Sequence, residues 1–199
     1  MIYLITNRKL IPDNNIFRVI EESVNAGIDA VILREKDLKY DELYSIAKKI
    51  KSITDKKNVP LIINNNLNVA KDLKCHGFHI GFNFINNSLP KFNGITGVSV
   101  HSVNEAITAQ NLGANYIIAG HIFPTDCKKN LKPRGLEFIR EIKKNVNIPV
   151  IAIGGINKYN IKNVYKAGAN GVAIMSGIMQ SKNILNTIKE LQKNSLDKI

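Results

Sequence analysis

One loop concentrates the side chains that could do chemistry. Behind the apolar run Tyr116–Ala119, Gly120 leads into His121, Phe123, Pro124, Thr125, Asp126, Cys127, Lys128 and Lys129, with Pro133, Arg134 and Gly135 closing the segment. An imidazole takes and gives a proton near neutral pH, and an ammonium holds an anion. The reading is therefore that His121 transfers a proton and Lys128 helps to bind an anion. Cys127 offers a thiol, but no base stands fixed beside it in sequence, so a small packed residue is the simpler account.

Other candidates lie far from this loop in the chain. Ile153–Ile156 (IGGI) and Met175–Gly177 (MSG) bring glycines whose backbone N–H groups can approach a phosphate; the alternative is a pair of tight turns. Leu33–Asp37 (LREKD) alternates Arg34 and Lys36 with Glu35 and Asp37. Its cations would hold a carboxylate or phosphate, or the stretch is an ion-paired strand end. His76 and His79 are read as surface or structural, and His101 as a ligand contact or a helix-entry residue beside Ser102. Hard cations want carboxylate oxygens, and Asn64, Asn65 and Asn66 offer amides, so no metal site is expected.

What gathers these residues is an alternation of short apolar runs with longer amphipathic segments. The runs are Ile2–Ile5, Ala30–Leu33, Leu61–Ile63, Phe78–Ile80, Gly97–Val100, Tyr116–Ala119, Val150–Ile153 and Gly171–Met175. They are too apolar to leave one face to water, as strands of a parallel sheet covered on both sides are. Helical patterns follow at Asn15–Ala26, Asp41–Ile53, Leu67–Leu73, Val103–Leu112, Leu136–Lys144, Lys158–Ala167 and Ile184–Gln192, whereas Asn83–Lys91 is not clearly helical. Eight such units predict an α/β fold, a (β/α)8 TIM barrel in a single domain over 1–199, with a doubly wound open sheet as the alternative. Catalytic groups of a barrel sit at the C-terminal ends of its strands, and that rule gathers Arg34, Glu35 and Lys36, the three asparagines, His101 and Ser102, the His121–Lys129 loop, Gly154 and Gly155, and Ser176 and Gly177. Glycines in NAGIDA, LGAN and KAGANG mark helix ends and carry no chemistry.

Composition narrows the partners. A net charge of +12 over 199 residues points to nucleic acid or an anionic substrate, but the lysines are scattered along the whole chain. No helix-turn-helix, RNP or zinc-finger pattern accompanies them, so nucleic-acid binding is not expected. No apolar run approaches the roughly 20 residues of a membrane span, and MIYLITNRKL lacks a secretory n-region, so a cytoplasmic protein is expected. The two cysteines show no repeated spacing.

The ordered set LREK, IINNN, GFHIG, SVHS, GHIFPTDCKK, IAIGGI and MSG resembles the thiamine phosphate synthase/TenI superfamily across essentially the whole chain. The synthases of that family join a pyrimidine diphosphate to a thiazole phosphate with Mg²⁺, held by one Asp in an IND-R motif and another in GQ-x-D. Here those positions carry Asn65 and Phe84, with Asn66 and Phe82 in place of the Arg and Gln. A His after the loop's first Gly, followed by TDCKK, resembles the TenI branch of thiazole tautomerases. That likeness implies a cofactor-free isomerase that aromatises a carboxythiazole phosphate by a proton shift on His121. It implies a thiazole phosphate seat at Gly155, Met175 and Ser176, loop contacts from Thr125 and Lys128, and a pyrimidine-side set of Arg34, Lys36, Asn64 and Ser99. A homodimer is implied as well. LREK and Pro124 are closer to the synthases, so a thiamine phosphate synthase is the alternative, and a non-enzymatic regulator the second.

Overall fold

The computed structural model describes residues 1–128 and 131–196. Its centre is a closed barrel of eight parallel strands in chain order. These are β1 (Ile2–Ile5), β2 (Ala30–Leu33), β3 (Leu61–Asn64), β4 (Gly77–Gly81), β5 (Ile95–Val100), β6 (Tyr116–Gly120), β7 (Val150–Ile153) and β8 (Gly171–Ile174). β8 pairs back onto β1 through Ile2–Val172, Tyr3–Ala173 and Leu4–Ile174, which closes the ring. The open-sheet alternative is thereby excluded.

Strand alternation builds two cores. Along β2, Ala30 and Ile32 point into the barrel and pack with Ile5, Ile62, Tyr116, Ile118, Ile151 and Ala173. Val31 and Leu33 point outward into the shell between barrel and helices, with Leu61, Ile63, Phe78 and Ile117. Both faces are dry, which is why the runs read as continuously apolar. Gly97 makes room inside: a Cβ there would lie 2.0 Å from the Tyr116 ring, its neighbour across the β5–β6 pair.

The outer layer is α1 (Ile16–Asn25), α2 (Tyr40–Asp55), α3 (Leu67–Asp72), α4 (Val103–Asn111), α5 (Gly135–Asn145), α6 (Ile161–Lys166), α7 (Ser176–Met179) and α8 (Ile184–Leu196). Side-chain oxygens of Asn15, Asn66 and Ser102 accept backbone N–H groups at the starts of α1, α3 and α4. Gly27, Gly113 and Gly168 take positive φ just past α1, α4 and α6, as expected of helix ends. The segment after β4, which is not clearly helical in sequence, forms only a short 3₁₀ turn, Phe82–Phe84. One detail differs from the sequence pattern: α7 was not foreseen, because four residues show no periodicity. Among the described residues, no helix is long and apolar enough to cross a membrane.

Candidate active site

A cavity of about 300 Å³ opens at the C-terminal ends of the strands. All ten residues singled out from the sequence line it: Arg34, Lys36, Asn64, Ser99, His121, Thr125, Lys128, Gly155, Met175 and Ser176. The barrel topology achieves this, because the last inward residue of each strand and the first residues beyond it share one mouth.

The β2 end shows how the alternation of LREKD is used. Glu35 is buried and accepts from the Thr6 hydroxyl at 2.7 Å, from the Arg8 backbone at 3.1 Å, and from the Arg8 guanidinium at 3.0 Å. Asp37 takes the same guanidinium in a two-pronged pair at 2.8 and 2.9 Å and is joined by Lys9. Arg8 beside it holds the Asp37 carboxyl well below the usual carboxylate range. The ion-paired strand end is therefore present on the two carboxylates, and the two cations stand on the other side of the alternation. The carboxylates are ion-paired to the β1 loop, and Arg34 and Lys36 line the cavity.

Lys128, in the 3₁₀ turn after β6, places its Nζ 3.3 Å from His101 Nε2 at the end of β5. Burial lowers its ammonium pKa first, and then the charges of Arg134, Lys36 and Arg34 lower it further. Arg34 and Lys36 of the β2 loop and Arg134 of its own loop thus all act on Lys128. The nearby carboxylate of Glu105 accepts the His101 backbone N–H at 2.6 Å.

On the β7 and β8 side the wall is backbone. Gly154 and Gly155 have φ of 103° and 63°. A Cβ on Gly154 would lie 2.4 Å from that of His121, and one on Gly155 would lie 2.4 Å from the Pro124 carbonyl. Only glycine fits both the conformation and the close approach of this turn to the β6 loop. Beyond β8, Ser176 and Gly177 open α7, and the first N–H groups of a helix have no intrahelical partner.

The floor holds a residue that the sequence reading set aside. His79 on β4 is buried inside the barrel, with Nε2 2.7 Å from Ser99 Oγ and Nδ1 3.1 Å from the Tyr116 hydroxyl. Burial pushes its pKa down to about 3, so the ring is neutral, and burial also drives the Tyr116 phenol well up. Strand parity was the available signal: Phe78 and Ile80 face outward, so His79 must face inward. His76, by contrast, is exposed.

His121 lines the cavity but is only 5% exposed, and its Nε2 lies 3.1 Å from the Leu131 carbonyl oxygen. A carbonyl only accepts, so Nε2 carries the proton and the ring is tied to the loop backbone. For Cys127 only the backbone lies within the described residues, and Lys129 lies outside them.

The three asparagines at the end of β3 divide the work. Asn64 faces the cavity. Asn65 takes a left-handed φ of 59°, its N–H donates to the His79 carbonyl at 2.8 Å, and its side-chain oxygen accepts from Gly81 N–H at 3.4 Å. Asn66 caps α3. Phe84 stands on the rim with 61% of its surface exposed. A divalent cation does not fit this donor set. No Asp or Glu lines the main cavity among the described residues, and Glu35, beside a second hollow of about 250 Å³, is already taken by Thr6 and Arg8. Among the described residues, no group of three or more His, Cys, Asp and Glu is close enough to hold a metal.

The family profile described as thiamine monophosphate synthase matches residues 2–178. The chain belongs to this family. The thiamine-phosphate synthase of Clostridium tetani is 39% identical over 194 residues, covering 96% of this chain and 93% of that protein. The thiamine-phosphate synthase of Clostridium beijerinckii is 37% identical, covering 100% and 96%. The solved thiamine phosphate pyrophosphorylase of Pyrococcus furiosus is 33% identical, with a TM-score of 0.86 over 98% of this chain and 94% of that one.

Family membership thus bears out the superfamily resemblance and places the chain among enzymes of thiamine biosynthesis. It also corrects the finer reading. The His121 and TDCKK pattern pointed to an isomerase, a thiazole tautomerase. Relatives at 37–39% identity over nearly their whole length carry the synthase name instead. The tautomerase reading leaned on a few positions of one loop, whereas this likeness covers 96–100% of the chain.

Proposed function

We propose that this protein is a thiamine-phosphate synthase, which joins a pyrimidine diphosphate ester to a thiazole phosphate and releases pyrophosphate. The observation that carries the reading is one cavity with two kinds of anion seat. Arg34, Lys36 and Lys128 form a cationic wall, and the Gly154–Gly155 and Ser176–Gly177 turns form a backbone wall on the neighbouring strands β7 and β8. A condensation between a diphosphate and a phosphate monoester needs both seats at once, and the names of the relatives point the same way.

In the reaction the carbon–oxygen bond to the diphosphate breaks, its electron pair leaves with the diphosphate, and the thiazole nitrogen bonds to that carbon. Negative charge builds on the leaving group, where Arg34, Lys36 and Lys128 are placed to stabilise it. The turns after β7 and β8 suit the monoester phosphate, which the thiazole carries. Ser99, fixed by His79, and Asn64 would orient the flat ring of the pyrimidine on the floor between them.

The test is direct. The purified chain is incubated with the pyrimidine diphosphate and the thiazole phosphate, and thiamine phosphate and pyrophosphate are followed together. The expected result is equimolar appearance of both. Absence of both products, with Mg²⁺ and with EDTA alike, would remove the reading.

A further inference from the structure

The residues around the diphosphate seat disagree with the chemistry of the family to which the chain belongs. We propose that this chain seats a diphosphate without a divalent cation, with Arg34, Lys36 and Lys128 supplying the positive charge that a carboxylate-held metal would otherwise bring. The inference deepens the synthase reading and rests on it only for the identity of the organic half of the ligand.

The first support is what has happened to the carboxylates. Asn65 is neutral, and its side-chain oxygen is engaged by the Gly81 N–H across the β3–β4 ends. Phe84 has no donor atom at all and presents an exposed ring to the rim. Glu35, Asp37 and Glu105, acids of the β2 and β5 ends, are held by Arg8, Lys9 and the His101 backbone. Hard cations need several oxygen ligands, with carboxylates doing most of the binding. Water and the ligand's own oxygens would be left to do it alone.

The second support is the field. Arg34, Lys36 and Lys128 line one cavity, and after burial the charges of Arg134, Lys36 and Arg34 all depress Lys128, which therefore stands in a field of like charge. His101 next to Lys128 is held low by burial and by the charge of Lys128, so no further positive charge is accepted there. A polyanion relieves this repulsion, and a free divalent cation adds to it. Arg34 also suits phosphate geometry, since a guanidinium can meet two oxygens at once.

The experiment titrates inorganic pyrophosphate into the intact chain by calorimetry, in EDTA and then in excess Mg²⁺. Binding in EDTA is expected to match or exceed binding in Mg²⁺, because Mg²⁺ in solution neutralises the ligand. Lys36 is exposed, so Lys36→Met leaves the fold intact. It should weaken binding in EDTA by about tenfold, the scale of one charge-assisted contact. The double change Asn65→Asp with Phe84→Asp should weaken binding in EDTA and make Mg²⁺ restore it. Binding that appears only with Mg²⁺, or strengthens tenfold or more with it, overturns the proposal. Such a result beside normal thiamine phosphate formation would leave the synthase reading standing. Binding in EDTA with no product under any condition would do the reverse, keeping the metal-free seat and removing the synthase.

Discussion

Lys128 Nζ lies 3.3 Å from His101 Nε2, and the ammonium sets the protonation of the imidazole. An ammonium has only donors, so Nε2 accepts and the imidazole is the neutral Nδ1–H form. Burial and the Lys128 charge together hold His101 below its ordinary 6.5, against a smaller upward pull from Glu105. Lys128→Met removes the donor and the charge. His101 should then titrate higher, read from its ring C–H resonances, and KM for the diphosphate substrate should rise about tenfold through the lost contact. A titration curve of His101 that does not move would show that the ammonium does not reach it.

His121 and Arg134 stitch the two ends of the β6 loop. The His121 ring donates to Leu131, and its own carbonyl accepts the Arg134 N–H at 3.0 Å, while Gly135 N–H meets the Ile122 carbonyl at 3.0 Å. His121→Ala deletes one of these bonds and leaves the others. The expected outcome is proteolysis within 121–134 accelerated by about tenfold, the scale of one lost hydrogen bond, with kcat reduced by less than about tenfold. A fall in kcat of about a hundredfold with the loop still protected would instead mark the imidazole as a proton-transfer group.

Glu35 is the buried anchor that turns Arg34 and Lys36 toward the mouth. Its two oxygens accept from Thr6 and from both the backbone and the side chain of Arg8. In Glu35→Gln one of those oxygens becomes an NH₂ that faces donors, and Arg8, itself partly exposed, loses its buried partner. Denaturant unfolding should show a loss of about 2–3 kcal/mol. Because the β2 end loosens, affinity for pyrophosphate should fall in the same variant even at temperatures where it is fully folded. An unchanged midpoint would mean that the Thr6–Glu35–Arg8 cluster is not closed in solution.

The eight strands were legible because a barrel strand is dry on both faces, so Ala30–Leu33 or Val150–Ile153 stands out as an unbroken apolar run. Most of the ten cavity-lining residues were legible for a related reason, since a barrel's mouth lies just past those runs, whereas Ser99 and Met175, within their runs, came from the family resemblance alone. Long-range pairing was not. Nothing in the local pattern says that Lys128 meets His101 or that Arg8 takes Glu35, since each contact is created by the closure of the ring. His79 was left open between surface and structural, and the parity of Phe78 and Ile80 decides for a buried, inward-facing ring. The choice of reaction was misled by one loop. His121 looks like an acid–base residue in sequence, and only the structure shows its Nε2 turned to a backbone carbonyl.

His79 gives the chain a specific pH dependence of stability. Its folded pKa is near 3, far below the ordinary 6.5, because the buried ring sheds its charge. The folded state therefore binds fewer protons at this site than the unfolded chain throughout that interval, and stability must fall on acidification. The contribution is fully present above pH 6.5 and is lost progressively toward pH 3, by up to about 1.4 kcal/mol for each unit. Asp13 and Asp37, both held below the ordinary 3.8, lose their contributions only at more acid pH, so the interval from 6.5 to about 4.5 belongs to the histidines. His101 is also lowered and acts in the same direction, and His101→Asn serves as its control. His79→Gln keeps a polar group for Ser99 and Tyr116 but cannot titrate. Denaturation at half-unit steps should give a slope smaller by about 1.4 kcal/mol per unit in this variant than in the parent. If both slopes coincide, the ring is charged or solvated in the folded protein, and the floor of the cavity is wetter than its hydrogen bonds imply.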